Sequence, residues 1–181
     1  MSKTDVLNVL KDDHRHVKHL FEQFKATDDR RAKAILAKEA MLELKIHTTV
    51  EEELFYPVVR KAMKKATGKE ETTDLMNEAD EEHHVAKLLI AELETMKSSD
   101  DHWEAKFTVL AENVLHHVKE EEGEMFPKVH ELDIDREALG LRVLARKDEL
   151  KASGVPEFAE QSLIGQFGIA DSPARASAMS H

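Results

Sequence analysis

The chain contains no cysteine. Disulfides, thiolate metal sites and a cysteine nucleophile are therefore excluded together. Six glycines and four prolines in 181 residues leave few places where a helix has to stop. Aromatic residues make up only 5%, yet apolar residues as a whole reach 41%, enough to bury a core. No apolar run is long enough to span a bilayer, and the N-terminal "MSKTDVLNVL" lacks the apolar centre of a signal peptide. Positive charge is also in deficit, with 26 Lys and Arg against 37 Asp and Glu, a net charge of -11. Such a surface repels nucleic acid and anionic lipid, so neither is an expected partner. These deficits predict a soluble, cytoplasmic protein.

What remains is rich in Ala, Leu, Glu and Lys and reads as helix almost throughout. Helix is expected from about Asp5 to Lys25, from Asp29 to Ala66, from Glu70 to Lys97 and up to about Glu131. Gly68 marks a stop, and "SSDD" at 98 to 101 offers caps for the fourth helix. Connections this short make neighbours antiparallel, so the fold class is all-α, an up-down-up-down four-helix bundle. The bundle should occupy residues 1-132. Residues 133-181 should form a C-terminal appendage, with a short helix to about Lys151 and a mobile tail from Ser153.

Eleven histidines are distributed unevenly along this chain. "HTTVEEELFYP" from 47 is echoed by "HVKEEEGEMFP" from 117, and one shift carries His47 to His117, Glu51 to Glu121 and Pro57 to Pro127. Earlier in each half stands one histidine in acidic company, His14 in "DDHRH" and His83 in "EEHHV". The echo suggests a duplicated helical pair. Pro57 and Pro127 should kink or end their helices.

Apolar stripes with spacings of three and four then sort the histidines. The first helix gives Val6, Leu10, His14, Val17, Phe21 and Phe24; the second gives Ala40, Leu44, His47, Glu51, Leu54 and Val58. The third gives Met76, Ala79, His83, Ala86, Ile90 and Leu93; the fourth runs from Trp103 through Phe107, Leu110, Val114, His117 and Glu121 to Met125. His14, His47, Glu51, His83, His117 and Glu121 thus fall on inward positions. His16, His84 and His116 lie about 100° or more from their stripes, and His19, His102, His130 and His181 have no stripe support. Those seven read as outer or solvated residues.

An isolated His-x-x-x-Glu is ordinary helix surface, and a lone core histidine is usually just hydrogen-bonded. The combination differs, because two glutamates buried in a bundle core are costly without a cation. Imidazole and carboxylate donors together suit iron, manganese or zinc. Six protein ligands would saturate one octahedral ion, whereas two ions sharing bridging carboxylates keep places open for an oxo, hydroxo or water bridge and an external ligand. Zinc, which prefers four ligands, fits six donors less well.

The "DH" at 13 to 14, "HTTVEEELFYP", "EEHH" and "HVKEEEGEMFP" resemble the hemerythrin-like (HHE cation-binding) family over about residues 5 to 131. The resemblance implies a four-helix bundle around a non-heme di-iron centre. Its ligands would be His14, His47, Glu51, His83, His117 and Glu121. Oxygen-carrying hemerythrins have a further histidine where this chain has Lys87, and His-x-x-x-x-Asp where the fifth residue after His117 is Glu122. Reversible oxygen carriage is therefore not the expectation. The expected cofactor is two iron ions, carboxylate-bridged and oxo- or hydroxo-bridged, ahead of manganese or zinc. The expected partner is a small oxidant or gas: dioxygen, peroxide or nitric oxide. A peroxidase-, catalase- or oxidase-like activity would use the open iron positions. The alternative is an iron- or oxygen-sensing, metal-binding regulatory module without catalysis.

Overall fold

The computed structural model describes residues 2-67 and 73-162, and every regular element among them is helical. In chain order these are α1 (Val6–Ala26), α2 (Arg30–Val50), a π-helical turn (Glu51–Phe55), α3 (Tyr56–Thr67) and α4 (Thr73–Thr95). There follow α5 (Trp103–Glu120), a second π-helical turn (Glu121–Met125), α6 (Phe126–His130) and α7 (Arg136–Ser153). Gly68 lies outside the described residues. No described helix is long and apolar enough to cross a membrane.

Side-chain caps set several starts. Asp5 Oδ1 accepts from Leu7 N–H at 3.0 Å, Asp29 from Ala32 N–H at 2.7 Å and Asp135 from Ala138 N–H at 2.9 Å. Each satisfies a donor that the helix leaves free. The "SSDD" stretch does not cap α5 with a side chain. His102 holds the cap position, and Asp100 Oδ2 instead accepts from Lys97 N–H at 2.8 Å. Its carboxylate is thereby committed to closing the preceding turn.

The prolines do not end their helices, which continue through both. Before each one the helix widens by one residue: Tyr56 N–H donates to Glu51 O, and Phe126 N–H donates to Glu121 O, both five residues back. A proline lacks the N–H and crowds the carbonyl four residues earlier, and the wider turn relieves that conflict. The extra residue moves the buried face on by one. Leu54 and Val58, expected in the core, are only partly buried, while Phe55, Tyr56 and Val59 are buried instead.

The core falls into two apolar clusters separated by a polar layer. One includes Leu10, Ile46, Phe55, Met76 and Phe126 and extends onto Leu139, Val143 and Leu150 of α7. The other gathers Phe21, Phe24, Leu44, Ile90, Trp103 and Phe107. Burying each such large side chain is worth about 1.5-3 kcal/mol, so the polar layer is carried by well-anchored walls on both sides. Helix α7 packs on α1 and α2. It comes so near the N-terminal segment that a Cβ on Gly140 would lie 1.9 Å from Thr4 O.

Beyond Ser153 the chain still makes contacts. Lys45 and Lys87 stand over the Phe158 ring at 5.6 and 4.9 Å, and His84 Nδ1 meets Glu160 Oε1 at 2.8 Å. The rest of the expected mobile tail, including His181, lies outside the described residues.

Candidate metal centre

Helices α1, α2, α4 and α5 each present one histidine to the polar layer, and the two π-helical turns add Glu51 and Glu121. All six side chains are buried, none more than 5% exposed. His16, His19, His84, His102, His116 and His130 are exposed. The Nε2 atoms of His14 and His47, from two different helices, lie 3.2 Å apart.

The four Nε2 atoms converge with the two carboxylates. His83 Nε2 lies 3.2 Å from His117 Nε2, and Glu51 Oε2 stands 3.2 Å from His47 Nε2 and 3.3 Å from His83 Nε2. Glu121 Oε2 stands 3.3 Å from His14 Nε2 and 3.6 Å from His117 Nε2. Two overlapping groups result: His14, His47, Glu51 and Glu121, and Glu51, His83 and His117, with donor atoms in each within 4.8 Å of one another. Glu51 belongs to both groups.

The outward ring nitrogens are held by carboxylates. His14 Nδ1 meets Glu122 Oε1 at 2.9 Å, His47 Nδ1 meets Asp13 Oδ2 at 3.3 Å, His83 Nδ1 meets Glu52 Oε1 at 3.1 Å and His117 Nδ1 meets Glu82 Oε2 at 2.8 Å. A carboxylate only accepts, so each neutral ring places its proton on Nδ1 and turns its Nε2 lone pair inward. Four inward lone pairs and two carboxylates make an electron-rich pocket. Both carboxylate oxygens of Glu51 are buried and have no hydrogen-bond partner. A cation is what such a donor set fits.

Without a cation, protons partly fill that deficit. Burial and the neighbouring Glu121 charge push Glu51 up to about 8. Burial alone would lower His14, but hydrogen bonds to Glu121 and Glu122 outweigh it and raise the ring to about 9. Burial also works against ionised Glu121, yet the His117 charge and the His14 hydrogen bond hold it below the usual carboxylate range.

The carboxylates Asp13, Glu52, Glu82 and Glu122 and the phenol of Tyr56 are functional candidates that periodicity missed. Each carboxylate is next to an inward residue in sequence, which is the signal that could have found it. Tyr56 Oη donates to Glu121 Oε1 at 3.1 Å and lies 3.3 Å from His83 Nε2. Lys87, where oxygen carriers have a histidine, turns away and binds Glu52 Oε2 at 2.6 Å. Glu122 likewise serves His14 from outside, leaving Glu121 as the inward residue.

Beside the rings lies a small cavity walled by Val17, Phe21, Leu44, Ala86, Val114 and Val118, with His14, His47, His83 and His117 at its edge. Its volume of about 20 Å³ is near the space that one water-sized molecule needs. Asn113 also lines it, with Oδ1 buried and unpartnered.

No curated protein matches the chain. A crystal structure of a hemerythrin HHE cation-binding domain-containing protein from Mycobacterium kansasii is similar, with 27% identity and a TM-score of 0.65. That similarity covers 82% of this chain and 88% of the other. The family described as the hemerythrin HHE cation binding domain matches residues 5-129. With the match covering most of the chain and the His/Glu cluster inside it, this protein belongs to the hemerythrin HHE cation-binding family.

Proposed function

We propose that the protein is a non-heme di-iron protein that binds or reacts with a small oxidant or gas, dioxygen, peroxide or nitric oxide, in the cytoplasm. Helices α1, α2 with α3, α4, and α5 with α6 form its up-down-up-down bundle. His14, His47, Glu51, His83, His117 and Glu121 hold the two ions. The observation that carries this reading is Glu51, fully buried, without a hydrogen bond and shared by two donor groups. One carboxylate between two clusters of imidazole is suited to bridge two cations, and six donors leave octahedral positions open. Iron in those positions would supply electrons to, or accept them from, a small ligand. The protein's own contribution is to exclude bulk water, orient the four rings through their outer carboxylates and admit only small molecules through the apolar cavity.

The test is metal content and spectrum. Protein purified from iron-replete cells should carry about two irons per chain, and its oxidised form should absorb in the near ultraviolet by charge transfer to iron. Oxygen or peroxide added to the reduced form should change that spectrum. One tightly bound zinc and no such band would end the di-iron reading.

A specific contact favours a second reading as a sensing module. The Lys87 ammonium is shared by the Phe158 ring and Glu52, and Glu52 holds His83. A change at the metal would then be felt by the segment after α7. Hydrogen exchange of residues 155-162 that differs between reduced and oxidised protein would support sensing, and identical exchange would remove it.

A further inference from the structure

Three of the four carboxylates that orient the inward rings also touch a lysine. Asp13 pairs with Lys147, Glu52 with Lys87 at 2.6 Å and Glu122 with Lys18 at 3.4 Å. Glu82 has no lysine or arginine partner among the described residues. While its Oε2 holds His117 Nδ1, its Oε1 faces His116 Nε2 at 3.7 Å, and that nitrogen lies 3.1 Å from Glu120 Oε1. The comparison with Asp13 is close, because each precedes the first histidine of its half, each orients the second, and each side chain is 13% exposed. In the first half, Ile46 and Val50 occupy the places of His116 and Glu120. They are buried in the apolar cluster that includes α7, and α7 supplies Lys147 to Asp13. In the second half the same place is open to solvent and carries an imidazole and a carboxylate.

We propose that Glu82, His116 and Glu120 form a second, outer site for a first-row divalent cation, which stands where Lys147 stands in the other half. A histidine and glutamate one turn apart are by themselves ordinary helix surface. The difference is the third donor, a mostly buried carboxylate from α4 that lacks the lysine its three counterparts have. The donor atoms lie within 4.8 Å of one another, a span that metal bonds of about 2.0-2.2 Å can close with little movement. One imidazole and two carboxylates suit zinc, cobalt, manganese or ferrous iron, with water completing the shell. Because Glu82 is shared, a cation on its Oε1 withdraws charge from the carboxylate that orients His117. The two sites are thus linked through a single side chain, whichever metal fills the core.

The test starts from the protein as purified, with core metal content measured first, so that failure of the di-iron reading is seen before cobalt is added. Titration with cobalt(II), followed by gel filtration, should add about one cobalt per chain with no loss of core metal. His116→Ala and Glu120→Gln should each weaken that uptake by about tenfold or more while leaving core metal unchanged. No added cobalt, uptake matched by an equal loss of core metal, or uptake unaltered in both variants would overturn the proposal.

Discussion

Tyr56 and Phe126 occupy the same place after the two π-helical turns, five residues beyond Glu51 and Glu121, and only Tyr56 carries a hydroxyl. That hydroxyl crosses the layer to Glu121 Oε1 at 3.1 Å. Phe126 instead stacks on His14, with ring centroids 5.9 Å apart and planes 7° from parallel. The two glutamates of a nearly two-fold site are therefore unequal: Glu121 accepts a buried hydrogen bond, and Glu51 accepts none.

Two irons held by this site should consequently differ. Mössbauer spectra of the iron-loaded protein should resolve two environments, and Tyr56→Phe should draw them together without lowering iron content. The variant should cost about 1-2 kcal/mol of stability, since it leaves a buried carboxylate oxygen unpaired. Unchanged spectra in the variant would mean that the phenol does not set the inequality.

Removing charge from the two glutamates should have unequal effects on the metal-free protein. Both Glu51→Gln and Glu121→Gln should lose most metal binding. At neutral pH Glu51 must take up a proton to be buried in the metal-free form, and Glu51→Gln removes that cost, so it should stabilise the metal-free form by about 1-3 kcal/mol. Glu121→Gln disturbs the bonds with Tyr56 and His14 and should give no such gain. Thermal melts with and without metal decide this, and equal shifts in both variants would contradict the inequality.

Periodicity alone made the inward residues legible. His14, His47, His83 and His117 repeat the three-and-four spacing of leucines and phenylalanines, and any side chain that replaces a core residue must keep that spacing. The step after Glu51 was not legible. A π-helical turn adds one residue for a local backbone reason, so Phe55 and Val59 took the places that simple counting gave to Leu54 and Val58. The outer carboxylates were hidden differently. Asp13, Glu52, Glu82 and Glu122 neighbour one inward residue in sequence but orient a histidine on another helix, and such a pairing exists only after packing. In a chain so acidic, their place beside an inward residue is the one mark that sets them apart from other solvated charges.

The close fit of α7 gives a test of the appendage. With Thr4 O only 1.9 Å from where a Cβ would be, Gly140→Ala forces α7 and the N-terminal segment apart. Overpacking of this kind costs about 1-3 kcal/mol, well beyond the small gain that alanine brings to an open helix. Gly123 has nothing within 4 Å of such a Cβ, so Gly123→Ala is the control and should be neutral or better. A neutral Gly140→Ala by chemical denaturation would show that α7 is not held against the N-terminus.

Protons and metal should compete for one pocket, and the signs can be stated. Glu51 and His14 are both raised in the folded metal-free protein, from ordinary values near 4.5 and 6.5 to about 8 and about 9. A raised group takes up its proton on folding, so its stabilisation is complete below the unfolded value and is lost as pH climbs through the folded one. Metal-free protein should therefore become less stable from about pH 4.5 to 9, through Glu51 up to about 8 and through His14 from about 6.5 to 9, with a slope of up to about 1.4 kcal/mol per pH unit for each proton. Metal expels those protons, so loading near pH 7 should acidify a weakly buffered solution. The loaded form should in turn lose the slope above pH 7 and weaken below it, as protons displace the ion. Melting temperatures of both forms across this range, with dye-monitored proton release on loading, provide the measurement. Parallel curves and no proton release would mean that Glu51 and His14 do not face the bound ion.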